Sequence, residues 1–183
     1  MLDIAVAYNR FRFLGHEFLT WLFFAIDTDE AILFGKIDNN IRIDIGNKMV
    51  LENRKEAEAE KIVISGEQAG LEEAFVALSK GALITEINLI IKYENSKLQF
   101  TLKGESLCLG SIKLSETGAL ETSQDLEAAV LEKIYLYEKI FALLDKAYES
   151  FLDLRISDQW KNHSAKKMKD WIGDKNRLLK KNG

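Results

Sequence analysis

The sequence contains no proline, one cysteine and two histidines, and each shortage removes a class of explanation. Average usage near 5% predicts about nine prolines in a chain of this length. Their absence fits regular elements joined by Gly, Asn and Asp turns. A single cysteine forms no intrachain disulfide and no Cys-based zinc cluster, and such usage suits a reducing compartment. Cys108 lies in Leu107-Cys108-Leu109, which predicts a small buried hydrophobe rather than a reactive thiol. Zinc needs three or four convergent ligands, whereas His16 and His163 stand far apart in sequence. His16, beside Glu17, reads as a cap or hydrogen-bonding group at the edge of the core, and His163 as solvated.

Long apolar runs are missing too. The longest spans Phe18 to Ile26, while a membrane crossing takes about 20 residues. Asp3 and two arginines precede it and no small-residue cleavage site follows, so it is not read as a secretory signal. The expectation is a cytoplasmic protein with no membrane partner. Neither Gly-x-Ser-x-Gly, nor a Walker loop, nor Gly-x-Gly-x-x-Gly occurs. The glycines of 104–110 enclose apolar residues instead. No catalytic residue, metal ligand or cofactor is assigned, and the chain is expected not to be an enzyme.

What is present suits one domain. In 183 residues, 47% are hydrophobic and 30% charged, near globular averages, and such a chain buries roughly 70% of its unfolded surface. Residues 3–26 predict a helix, because Phe11, Leu14, Phe18, Trp21 and Ala25 share one face. Phe13, Leu22, Phe23 and Phe24 cover much of the rest, so neighbours must surround it. Gly15 in its middle marks either a close backbone approach or a kink.

From about 31 to 65 the period falls to two. Ile41, Ile43 and Ile45 alternate with Arg42 and Asp44, as in a half-buried strand. Gly46-Asn47 predicts a turn into 48–51, the charged stretch 53–61 a surface loop, and Ile62-Val63-Ile64 a further strand. Residues 67–80 predict a short helix stopped at Gly81. A hairpin follows, with alternating residues over 83–92, a turn at 94–97 and a return through Leu98, Phe100 and Leu102. Ile112 and Leu114 end the sheet.

The strongest local pattern lies in 123–154. Val130, Ile134, Tyr137, Phe141, Leu144, Tyr148 and Phe151 are spaced alternately by four and three, a heptad seam. Leu136, Ile140, Leu143 and Ala147 form a second stripe beside it. Such a helix meets two neighbours: the first helix, and either the sheet or a second subunit. A last helix over 157–172 is expected to stop near Gly173 and leave a basic tail. The expected fold is thus α+β in a single domain, 1–183. It comprises an N-terminal helix with an antiparallel sheet of about five to seven strands (1–122), a long packing helix (123–156) and a short basic terminal helix (157–183).

Two groups of residues carry chemistry worth testing. Asp27, Asp29, Glu30, Asp38 and Asp44 are the type of groups that hold Mg²⁺ in a nuclease, but acidic residues after an apolar helix also simply solubilise a loop. The second group is basic. From Arg155 to Gly183 there are nine Lys or Arg against three Asp, about +6, which leaves about −10 for the rest of a chain whose total is −4. Lys161, Lys166, Lys167, Lys169, Lys175 and Arg177 are candidates to neutralise phosphates, with Trp160 and Trp171 to stack on unpaired bases. The alternative places both tryptophans in the core and leaves the lysines to solubilise. An overall pI near 5.4 disfavours nucleic-acid binding over the whole surface.

The stretch Phe13-Leu14-Gly15-His16-Glu17-Phe18-Leu19-Thr20-Trp21-Leu22 resembles a signature of bacterial recombination-associated, RdgC-like proteins. The resemblance extends to 49–52, 98–102 and 152–160. Phe23 stands where that signature has Trp, and this chain is shorter than the RdgC proteins, which are dimeric DNA-binding rings that restrain recombinase activity. The resemblance implies a non-enzymatic, DNA-associated role in recombination or DNA maintenance. The alternative is a protein–protein interaction or scaffold module that dimerises through the 130–151 heptad face.

Overall fold

The computed structural model describes residues 13–28, 41–53, 60–66, 69–94, 96–114 and 122–182. The expectations placed on 3–12, on 54–59 and on Asp29, Glu30 and Asp38 lie outside them. Helix α1 spans Phe13–Asp27, followed by strands β1 (Ile41–Asn53) and β2 (Glu60–Ser65), helix α2 (Ala69–Ser79), and strands β3 (Leu83–Tyr93), β4 (Ser96–Lys103) and β5 (Leu109–Leu114). Helix α3 covers Ser123–Ile156, and a π-helical segment, Trp160–Ser164, runs into α4, Ala165–Asn182.

The five strands form one antiparallel sheet in the order β2-β1-β3-β4-β5, so the α+β expectation holds. Period-two alternation explains which face is buried. Ile87, Leu89 and Ile91 of β3 and Leu98, Phe100 and Leu102 of β4 are all 1% exposed or less, because they point toward the helices. The other face carries Arg42, Asp44, Glu86 and Lys92. Asp44 pairs across strands with Lys92 at 2.7 Å and along its own strand with Arg42 at 3.1 Å, and Glu86 pairs across strands with Lys48 at 3.7 Å. Burial pushes the Asp44 carboxyl up, but hydrogen bonds from Lys92 and Arg42, with their charges, outweigh it and hold the group below its ordinary 3.8.

Gly46-Asn47 is not the expected turn. Strand β1 continues through it, with 46–48 bulging opposite Asn88 between the pairs Ile45–Leu89 and Met49–Ile87. Asn88 is 5% exposed. It donates to the Phe100 carbonyl at 3.0 Å and accepts from Gln99 at 2.7 Å. That network satisfies the buried amide where the regular ladder is interrupted.

Helix α1 is apolar nearly all round because it touches the sheet on one side and α3 and α4 on the other. Phe18 packs edge-on against Tyr148 of α3 at 5.1 Å, and Phe24 against Trp171 of α4 at 5.2 Å. The two alternatives at Gly15 resolve as a close approach. A Cβ there would overlap the carbonyl of Gly104 in the β4–β5 loop, and the Gly104 N–H donates to the Thr85 carbonyl at 2.8 Å. His16 is 2% exposed, inside the core rather than at its edge.

Cys108 departs from expectation: it is exposed. The chain turns at 104–108, and the Lys103 N–H donates to the Cys108 carbonyl at 3.1 Å. The apolar triplet is thus the end of a hairpin loop, where only its neighbours Leu107 and Leu109 pack against the core. Gly81 does end α2, at φ 91°, with the Ala82 N–H donating back to Ala77 and that of Gly81 to Leu78. Gly173, by contrast, ends nothing. Helix α4 runs through it to Asn182, because Met168, Trp171, Ile172 and Leu179 continue one apolar stripe that docks against α2. The cost of an interior glycine, about 1 kcal/mol, is smaller than burial of even one such side chain, about 1.5–3 kcal/mol.

Candidate functional site

The basic C-terminal region separates into cations bound within the fold and cations facing solvent. Trp171 is 8% exposed, edge-on to Phe23, Phe24 and Phe75 with centroids 5.0–5.3 Å apart. Its indole N–H donates to Asp27 at 2.8 Å. The same carboxylate holds Lys175 at 2.7 Å. Trp160 is 9% exposed, between Phe151 at 5.7 Å and the Arg155 guanidinium at 5.2 Å. Neither tryptophan offers a face to a base, which corrects the stacking role: both anchor α4 and the π segment to the core.

Lys161, Lys166, Lys167 and Lys169 are exposed. The Lys167 ammonium stands 5.8 Å over the Phe24 ring, and Arg177 lies 3.5 Å from Asp174. Asp158, Asp170 and Asp174 are exposed among these cations. The structure therefore gathers the predicted lysines on one surface segment, dilutes them with acid, and removes Lys175 and both tryptophans from it.

The two acidic candidates on described residues, Asp27 and Asp44, are committed to other groups of the fold. Asp27 holds Lys175 and Trp171, and Asp44 holds Lys92 and Arg42. No group of three His, Cys, Asp or Glu suited to a metal ion occurs among the described residues.

The long helix presents its seam differently from expectation. The stripe docked on the body is Leu136, Ile140, Leu143, Ala147 and Phe151, each 5% exposed or less. Of the seven heptad residues, Phe151 is buried and Tyr137, Leu144 and Tyr148 are half-buried. Tyr148 and Phe151 contact Phe18 of α1 at 5.1 and 5.6 Å, and burial raises the Tyr148 phenol above its ordinary 10.0. Val130, Ile134 and Phe141 remain 46–50% exposed, joined by Leu126 at 53% and Leu131 at 59%. The free face is thus 126–141 rather than 130–151, because α1 occupies the C-terminal half of the seam. Exposed apolar side chains grouped on one helix face are candidates for contact with a partner.

No family model, curated protein or solved structure matches this chain. The RdgC-like resemblance therefore rests on the quoted residues alone, and their geometry gives them packing roles. Glu17 accepts from Arg155 at 2.7 Å, so the stretches 13–22 and 152–160 are joined by an ion pair. Thr20 donates to the His16 carbonyl at 2.9 Å and accepts from the Ile84 N–H at 3.2 Å, which fixes α1 on β3. The Glu17–Arg155 pair went unforeseen, since 138 residues separate its members. No helix among the described residues is long and apolar enough to cross a membrane.

Proposed function

We propose that this chain is a non-enzymatic interaction module that pairs with a second copy through the exposed face of α3, the two helices lying parallel. The carrying observation is the row Val130, Ile134, Tyr137 and Phe141 at heptad spacing, with three of its members about half exposed. The flanking residues favour a second copy over an unrelated partner. In a parallel pair, a residue just before one seam position faces the partner's residue five places further on. Leu126 then meets Leu131, and Lys133 meets Glu138, each twice by symmetry. Lys133 and Glu138 make no ion pair with any described residue.

Sedimentation velocity over a wide concentration range tests this. A reversible monomer–dimer equilibrium is expected, abolished by Phe141→Glu. Lys133→Glu should weaken it and the exchanged pair Lys133→Glu with Glu138→Lys should restore it, an outcome specific to the parallel register. A chain that stays monomeric at all concentrations overturns the proposal.

A second reading keeps a DNA-associated role in recombination or DNA maintenance. It is supported by the solvent-facing Lys161, Lys166 and Lys169 and by the RdgC-like resemblance. Each phosphate contact steepens the salt dependence of binding by about one unit of slope. Fluorescence anisotropy with single- and double-stranded DNA should then show binding that weakens with salt, and Ala at all three lysines should flatten that slope. No binding at low salt removes this reading and leaves the dimer intact.

A further inference from the structure

An open groove of about 620 Å³ lies between α1, the end of α2 and α4, and shares no lining residue with the α3 seam. That volume falls within the range of small-molecule sites, about 300–1,000 Å³. Its walls are largely apolar: Leu78, Ala82, Leu83, Trp160, Met168 and Ile172. The polar groups at its edge are mostly committed elsewhere. Glu17 holds Arg155, and the Thr20 hydroxyl is used by His16 and Ile84. Lys169 lines the groove, is exposed, and pairs with none of the described residues.

A second observation concerns the helix that forms one wall. Gly173 also lines the groove, in the interior of α4, where a glycine weakens the helix relative to alanine. Gly15 is required by a close approach and Gly81 by its backbone angle. A Cβ at Gly173 meets nothing within 4 Å, so no contact with the described residues accounts for it. Beside it, the π-helical turn Trp160–Ser164 precedes α4, and π turns concentrate at functional sites.

We infer that the groove binds a small amphiphile with a single anionic group, of the aliphatic carboxylate class. Its apolar body lies along Leu83 and Ile172 beside Trp160, its carboxylate pairs with Lys169, and the missing side chain of Gly173 leaves the space it occupies. Anionic character follows from the ammonium being the charge left unpaired on the groove wall; a cationic ligand would find Glu17 already neutralised by Arg155.

The test is a titration of the ¹⁵N-labelled protein with decanoate below its micelle concentration, with decyltrimethylammonium and acetate as controls. Decanoate should shift the Trp160 indole and the Gly173 and Gly81 amide resonances saturably, while neither control does. Lys169→Ala should raise the dissociation constant by about tenfold, the scale of one charge-assisted contact, and Lys169→Arg should recover most of it. Gly173→Leu places a good helix former in open space. Its melting temperature should equal or exceed that of the parent, while decanoate binding is lost. Absence of saturable shifts overturns the inference, as does an equal response to the cationic amphiphile. Unchanged affinity in both Lys169→Ala and Gly173→Leu also overturns it, and the lysine variant decides the matter if the leucine variant does not fold.

Discussion

Gly15 and Gly104 meet backbone to backbone, and a methyl group at Gly15 has only the Gly104 carbonyl to push against. That carbonyl belongs to a loop whose N–H is tied to Thr85, so relief requires α1 to lift from the sheet. Gly15→Ala should therefore destabilise the protein by about 1–3 kcal/mol, the usual cost of overpacking, despite alanine's better helix propensity. Urea unfolding measures it, and an unchanged midpoint would show that the contact is soft. Trp171→Phe is a narrower change. It keeps an aromatic ring near Phe23, Phe24 and Phe75 but removes the donor to Asp27. Because Asp27 retains Lys175, the expected loss is about 1 kcal/mol. Single residues were partly legible in sequence: a glycine inside an apolar helix announces a constraint without naming which. Cys108 was misread because apolar neighbours imply burial only when the local chain direction is known. Here the hairpin loop turns the thiol outward.

Elements were legible where periodicity is local and hidden where docking decides. Strands β3 and β4 follow from alternation and from the turn expected at 94–97, so their pairing was predictable. The bulge in β1 was not, since Gly46-Asn47 satisfies a turn equally well, and the strand runs on because the residues on either side of the bulge pair with β3 and those after it with β2. The end of α4 was hidden for a related reason. Gly173 is a sound local stop, overruled by an apolar stripe whose partner, α2, lies about 90 residues earlier. On the outer face of the sheet, Asp44 supports a prediction about pH. Its carboxyl is held below 3.8 in the folded protein, so the unfolded chain binds that proton more readily. The stabilisation is then present in full above about pH 4 and is lost as pH falls through the folded value. Asp44→Asn should be less stable than the parent at neutral pH, and the difference should shrink between about pH 4 and pH 2. A difference that stays constant over that range would assign the effect to shape rather than charge.

At the scale of the whole molecule, α3 is the element that the fold uses only in part. The body of the chain covers Phe151 fully and Tyr148 in part through Phe18, while Val130, Ile134 and Phe141 stay about half exposed. The heptad was visible in the sequence as one continuous seam. Which half of it folding would consume was not, because that depends on where α1 ends against α3. If the remaining half closes on a second copy, association is linked to folding, and stability must depend on protein concentration. For a chain of this size a tenfold increase in concentration should raise the melting temperature by about 2 °C. The Phe141→Glu variant should melt at one temperature at every concentration. The salt dependence separates the contributions to the seam. The Lys133–Glu138 pairs at the seam's rim are worth about 1 kcal/mol or less each and are screened by salt, whereas the apolar contacts of Val130, Ile134 and Phe141 are not. Dimerisation that weakens only slightly at high salt therefore places the affinity in the apolar row. Dimerisation abolished by salt would transfer it to the flanking charges and leave the apolar face without its partner.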